Sequence, residues 1–128
     1  MFNKIILIGN LTRDPEIRYT PSGVAVATVP IAVNSRYKQG EELKEETLFI
    51  DAIVFGKQAE TCTQYLNKGR MVLVEGRLRE RRWEYEGQKK NRFEVIASNI
   101  RFFPKKEPLQ VEELTDLPPE EYTDLEPF

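Results

Sequence analysis

The hydrophobic period of this chain changes only once. Residues 57–69, "KQAETCTQYLNKG", place Ala59, Cys62, Tyr65 and Leu66 at helical spacing, and Gly69 follows as a stop signal. Every other periodic stretch reads as extended. "NKIILIGNLT" (3–12) is a β-branched, apolar run closed by Gly-Asn. "DPEIRYTPSG" (14–23) is turn-rich, with a short extended piece around Ile17 to Tyr19. "VAVATVPIAVNSRY" (24–37), "TLFIDAIVFG" (47–56), "RMVLVEGRLRERRWEYE" (70–86) and "RFEVIASNIRFF" (92–103) complete the series. Between them, "KQGEELKEE" (38–46) is polar and reads as a hairpin loop, and "GQKKN" (87–91) reads as a turn. Pro30 falls inside a long strand. It cannot donate to a sheet ladder, so an edge position, a bulge or a bend is expected there.

Three strands, one short helix and a two-strand hairpin match a mainly β, five-stranded Greek-key barrel with its helix between the third and fourth strands. That is the OB-fold, whose open face and loops commonly hold oligonucleotides. At 128 residues the length fits one folded domain, expected over residues 1–103. Beyond it, Pro104, Pro108, Pro118, Pro119 and Pro127 interrupt an acidic stretch, so residues 104–128 are expected to form a flexible acidic tail.

Net charge is −2 but is divided unevenly. Residues 1–106 hold all 19 Lys and Arg against 13 Asp and Glu, a net +6, whereas residues 107–128 hold 8 acids and no base. A basic body with an acidic tail suggests a polyanion-binding body and a tail with a separate task.

The chain contains no histidine, which removes His-based triads and His-containing zinc sites. No metal, cofactor or nucleotide-binding motif is visible. Cys62 is the single cysteine, so no internal disulfide is possible and a reducing cytoplasm fits. No apolar run approaches the roughly 20 residues that span a bilayer. The start "MFNKIILIGN" reads as a buried strand, not a signal peptide.

Strand parity separates candidate core from candidate surface. In the third strand Leu48, Ile50, Ala52 and Val54 look like core. Phe49, Asp51, Ile53 and Phe55 share the other face, and Asp51 suggests partial exposure. In the fourth strand Arg77, Arg79, Arg81, Trp83 and Tyr85 share one parity; the other is also polar beyond Leu78, so the strand runs past the core into a projecting arm. Interleaved bases and rings suit unpaired nucleic acid, because cations track phosphates and flat rings stack on bases that a duplex hides. The alternative leaves Phe49, Phe55 and Trp83 in the core and the Arg-Glu alternation as a salt-bridged solvent face.

The stretches "NKIILIGNLTRDPEIRYTPSG", "FGKQAE", "YLNKGRMVLVEGRLRERRWE" and "DLEPF" together resemble the bacterial single-stranded DNA-binding proteins. The resemblance covers residues 1 to about 103 and the last five. It implies four base-stacking rings, at Tyr37, Phe49, Phe55 and Trp83, the first two replacing what is often tryptophan. The basic residues expected at phosphates are Arg77, Arg79, Arg81, Arg82, Lys89, Lys90 and Arg92. The resemblance further implies a homotetramer, wrapped by DNA near the nucleoid. It also implies a docking tip of Asp124, Leu125, Glu126, Pro127 and Phe128 for replication, recombination and repair proteins.

Two rival readings stand beside this one. A metal-dependent nuclease could use Asp14, Asp51 and Glu75, although no spacing brings them together. An OB-fold module could instead bind RNA or only proteins.

Overall fold

The computed structural model describes residues 1–104; the acidic stretch and the tip Asp124 to Phe128 lie outside the described residues. The strands are β1 (Ile5–Leu11), β2 (Glu16–Tyr19), β3 (Ala25–Gln39), β4 (Glu42–Phe55), β5 (Met71–Tyr85) and β6 (Gln88–Phe102), with one helix, α1 (Lys57–Tyr65), between β4 and β5. They are hydrogen-bonded in the order β1-β5-β6-β4-β3-β2, and β1 also pairs with β3. That last pairing closes β1, β5, β6, β4 and β3 into a five-stranded barrel, with β2 appended to β3. The β4–β6 pairing is parallel and the others are antiparallel. The expected OB-fold, with its helix between the third and fourth barrel strands, is the fold observed.

Period-two alternation builds the core. Ala27, Val29 and Ile31 of β3, Ala52 and Val54 of β4, Val72 and Val74 of β5, and Val95 of β6 are buried; α1 adds Ala59 and Cys62, and Leu66 follows just past its end. Each fully buried Val, Ile or Leu side chain contributes about 1.5–3 kcal/mol of transfer free energy. Burial raises the Cys62 thiol to about 11, so it stays neutral and serves as packing. Tyr65, which shares the helical spacing, faces solvent. The helix ends at Tyr65 rather than at Gly69.

Closure of the barrel depends on two close backbone approaches. A Cβ on Gly9 would lie 2.6 Å from the Ala32 carbonyl oxygen, where β1 crosses β3. Gly76 sits at a register shift in β5, and a Cβ there would collide with the Ile96 carbonyl, its carbon only 2.8 Å away. Gly76→Ala should therefore cost about 1–3 kcal/mol in urea unfolding, because backbone cannot yield as a side-chain tip can.

Pro30 is buried and pairs with Asp51 across β4. Its carbonyl accepts from the Thr12 amide at 3.0 Å, so the edge of Pro30 that carries no donor points away from β4. It lies between the β2 ladder, which ends at Thr28, and the β1 ladder, which begins at Ile31. The missing N–H thus falls where β3 changes partners.

Both expected loops are shorter than the sequence suggests. β3 and β4 stay paired out to Gln39↔Glu42, and β5 and β6 out to Tyr85↔Gln88, each with a two-residue turn. These distal segments are solvated on both faces, so no apolar period marks them. Leu48 is exposed rather than core, because it pairs with Val33 beyond the last buried pair, Ile31↔Ile50.

Candidate nucleic-acid interface

Side chains opposite one another in a ladder share a face. The register therefore assembles one continuous outer surface across β3, β4, β6 and β5. Phe49, Asp51, Ile53 and Phe55 of β4 face the same way as Lys90, Arg92, Glu94 and Ile96 of β6. Those in turn lie opposite Trp83, Arg81, Arg79 and Arg77 of β5. Arg18 of β2 joins them through its pairing with Val26, which lies opposite Phe55. The other side of these strands is the barrel core.

Three of the four expected rings meet on this surface. Phe49, Phe55 and Trp83 are 71%, 43% and 36% exposed. Tyr37, paired with Lys44, falls on the opposite face of the β3–β4 arm from Phe49, and it too is exposed. A groove of about 440 Å³ beside Phe55 has Val26 and Ile53 at its floor and Arg18 and Arg81 among its walls. Arg18 escaped the sequence reading: a lone base in a turn-rich stretch signals nothing until β2 docks on β3.

The basic residues divide by their partners. Arg79 donates its Nε–H to Glu94 at 3.1 Å, and its terminal nitrogen also binds this carboxylate. Glu94 is nearly fully buried and lies beside Asp51 in the ladder. Arg92 binds Asp51 at 3.0 Å. Asp51 was read as a sign of exposure; its side chain is only 13% exposed, and Arg92 supplies the countercharge. Buried Ile53 likewise departs from the expected half-exposed face, leaving Phe49 and Phe55 as its accessible rings.

Arg82 lies on the opposite face of the arm, bound to Glu80, which also accepts from the Asn91 amide at 2.9 Å. These contacts, the Asn91 hydrogen bond first and that from Arg82 next, hold the Glu80 carboxyl below its ordinary value. A carboxyl lowered on folding adds stability above the ordinary glutamate range. The Glu80 contribution should fall away as pH drops through the lowered value, read as a decline in urea midpoint. Lys89 lies across from Glu84 on that same face.

Among the described residues, Arg18, Arg77, Arg81 and Lys90 make no ion pair. Arg81 holds its guanidinium 5.0 Å from the Trp83 ring centroid, and Lys90 sits 5.4 Å from that of Tyr85. Such contacts orient both partners before any ligand arrives. The surface therefore offers accessible rings with uncompensated cations beside them. It can stack flat unsaturated groups while neutralising an anionic backbone.

The three carboxylates of the nuclease reading are held apart by separate partners. Asp14 accepts the Lys68 amide at 2.8 Å, Asp51 binds Arg92, and Glu75 binds Lys4 at 2.8 Å. Among the described residues no three acidic or sulfur ligands gather where a metal could sit.

Residues 2–103 match the model of the Single-strand binding protein family. A single-stranded DNA-binding protein of Aquifex aeolicus is 46% identical over 122 residues, covering 93% of this chain and 83% of that one. One from Thermotoga maritima is also 46% identical, covering 95% and 90%. The chain spans only 56% of the Treponema pallidum relative, at 45% identity. Among solved structures, the Plasmodium falciparum SSB complex with ssDNA superposes with a TM-score of 0.77 at 33% identity, covering 81% of this chain and 96% of that one. Barrel, outer surface and sequence thus agree, and the chain belongs to the single-strand binding protein family.

Proposed function

We propose that this protein binds unpaired DNA with little sequence preference and protects it during replication, recombination and repair. The observation that carries this reading is the meeting of Phe49, Phe55 and Trp83 on one outer face with Arg18, Arg77 and Arg81, which no ion pair neutralises among the described residues. Rings stack on any base, and the cations follow the phosphates. Arg79 and Arg92 shape the surface through Glu94 and Asp51, and Arg82 and Lys89 serve the far side of the arm. Tyr37 reaches a strand that passes around the β3–β4 arm. The protein acts by binding, without a catalytic step. A labelled oligothymidine should be released by unlabelled single strands and resist matched duplex; equal competition by duplex would defeat the reading. Matched RNA in the same assay separates DNA from RNA binding.

We also propose a homotetramer. Ile6 and Ile8 are half exposed on the outer side of β1, facing the same way as Leu73 of β5, and β1 pairs with β3 only at Asn10 and Leu11. An apolar strip beside an open strand edge calls for cover. Light scattering should give about four times the 14.9 kDa chain mass. A monomer at micromolar concentration would refute it.

The acidic stretch is proposed to dock partner proteins through Asp124, Leu125, Glu126, Pro127 and Phe128. A pocket can bury the Phe128 ring while a basic rim meets the acids. Deleting Phe128 should leave DNA affinity nearly unchanged and sharply reduce capture of replication and repair proteins from a bacterial lysate. Equal capture would refute the docking role. Among the described residues no helix is long and apolar enough to cross a membrane, and the proposed place of action is the cytoplasm, at the nucleoid.

A further inference from the structure

We propose that the N-terminal segment adds a base-stacking position, Phe2, to the outer surface, with Arg77 as its phosphate contact. The inference rests on the single-stranded DNA reading and extends its path.

Three observations carry it. First, Asn3 fixes the segment to β5. Its side-chain amide donates to the Leu78 carbonyl at 2.7 Å, and its side-chain oxygen accepts from the Leu78 amide at 3.1 Å. The pair replaces the ladder bonds that β1 would make had it begun earlier, so the residue before Asn3 has a defined place. Lys4 reinforces this by binding Glu75 at 2.8 Å. Second, Phe2 is 90% exposed in the single chain, although the adjacent Asn3 is tied to β5. It borders a groove of about 310 Å³ with Arg77, Gly76, Ile96 and Ala97. Third, that groove continues the surface already described. Arg77 and Ile96 are opposite one another, in the same ladder row as Arg79 and Glu94, Arg81 and Arg92, and Trp83 and Lys90. Arg77 is exposed and forms no ion pair among the described residues.

A strand lying along this row from Trp83 would pass Arg81 and then the Arg79–Glu94 pair before reaching Arg77. There Phe2 offers the next accessible ring. About six residues of β5 separate Trp83 from Arg77, a run of roughly 20 Å at about 3.3 Å per residue. The Phe2 position therefore engages only oligonucleotides long enough to cover that distance. Gly76 borders the groove at the register shift, where its lack of a side chain lets the Ile96 backbone approach.

The test moves the optical reporter. Trp83→Phe combined with Phe2→Trp leaves position 2 as the only tryptophan. Oligothymidines of about 5 and about 15 nucleotides fall near the two ends of the range of site sizes of one OB-fold. The longer should quench emission from position 2, and the shorter should not. In parallel, Phe2→Ala should weaken binding of the longer oligonucleotide by about 5- to 150-fold, the equivalent of one lost stack, and leave the shorter unaffected. Anisotropy of a labelled oligonucleotide reads both lengths. Absence of quenching from position 2 at saturation, or equal affinity of Phe2→Ala and the parent for the longer strand, overturns the inference; so does an equal loss at both lengths. Failure of the parent to bind either strand would instead remove the single-stranded DNA reading.

Discussion

Phe55→Ala/Trp83→Ala should weaken binding of an unpaired oligonucleotide by about 2–6 kcal/mol, since each stacked base contributes roughly 1–3 kcal/mol. Either substitution alone should remove about half, with some departure from additivity, because both rings lie on one surface. The fold should survive. Phe55 is 43% exposed and Trp83 36% exposed, and neither belongs to the buried cluster. Equilibrium titration of the single and double variants beside their urea midpoints separates the two effects. Loss of affinity in step with loss of stability would count against a direct stacking role.

Arg79→Met should destabilise the folded state by about 3 kcal/mol. Glu94 is only 3% exposed and takes its ion pair from Arg79. Removing one partner of such a pair leaves an uncompensated charge in a medium that solvates it poorly. The figure is at the low end of the range for buried pairs, because the Arg79 side chain remains 40% exposed. Arg79→Met/Glu94→Met should recover most of the loss, since an apolar pair of similar volume needs no countercharge. Urea unfolding of both variants gives the comparison, and a double variant less stable than the single one would contradict this role for the pair.

The barrel was legible in the sequence wherever apolar residues run through a strand. The runs around Val29 and Ile53 are apolar and buried on both faces, the run around Val74 alternates, and the single change of period at Ala59 and Cys62 placed the helix correctly. Legibility ended where both faces are wet. The stretch 38–46 is polar on both sides because its pairs, such as Arg36↔Glu45 and Tyr37↔Lys44, project into solvent; a two-sided polar strand looks like a loop. The same loss of pattern hid the face of Tyr37, which depends on a register that only the paired arm defines.

The candidate surface was legible as residue types but not as pairings. Seven bases were expected at phosphates, yet Arg79, Arg82 and Arg92 are bound to carboxylates, two of them to acids the barrel largely buries. A sequence records alternating Arg and Glu identically whether the partner is a neighbour in the strand, as for Arg82 and Glu80, or lies across a ladder, as for Arg79 and Glu94. Arg18 was invisible for the converse reason. Its place on that surface depends on β2 docking against β3, a contact that four extended residues in a turn-rich stretch do not announce.

Trp83 is the only tryptophan in the chain, so one optical signal reports directly on the proposed surface. Titration of its emission with poly(dT) across a salt series tests the central claim. Strong quenching is expected, with log affinity falling linearly against log salt at about −0.7 per phosphate contacted. Four contacts, from Arg18, Arg77, Arg81 and Lys90, correspond to a slope of about −3 per protomer on that scale. Unchanged emission at saturation, or an affinity indifferent to salt, would contradict a surface that binds single strands by stacking and charge.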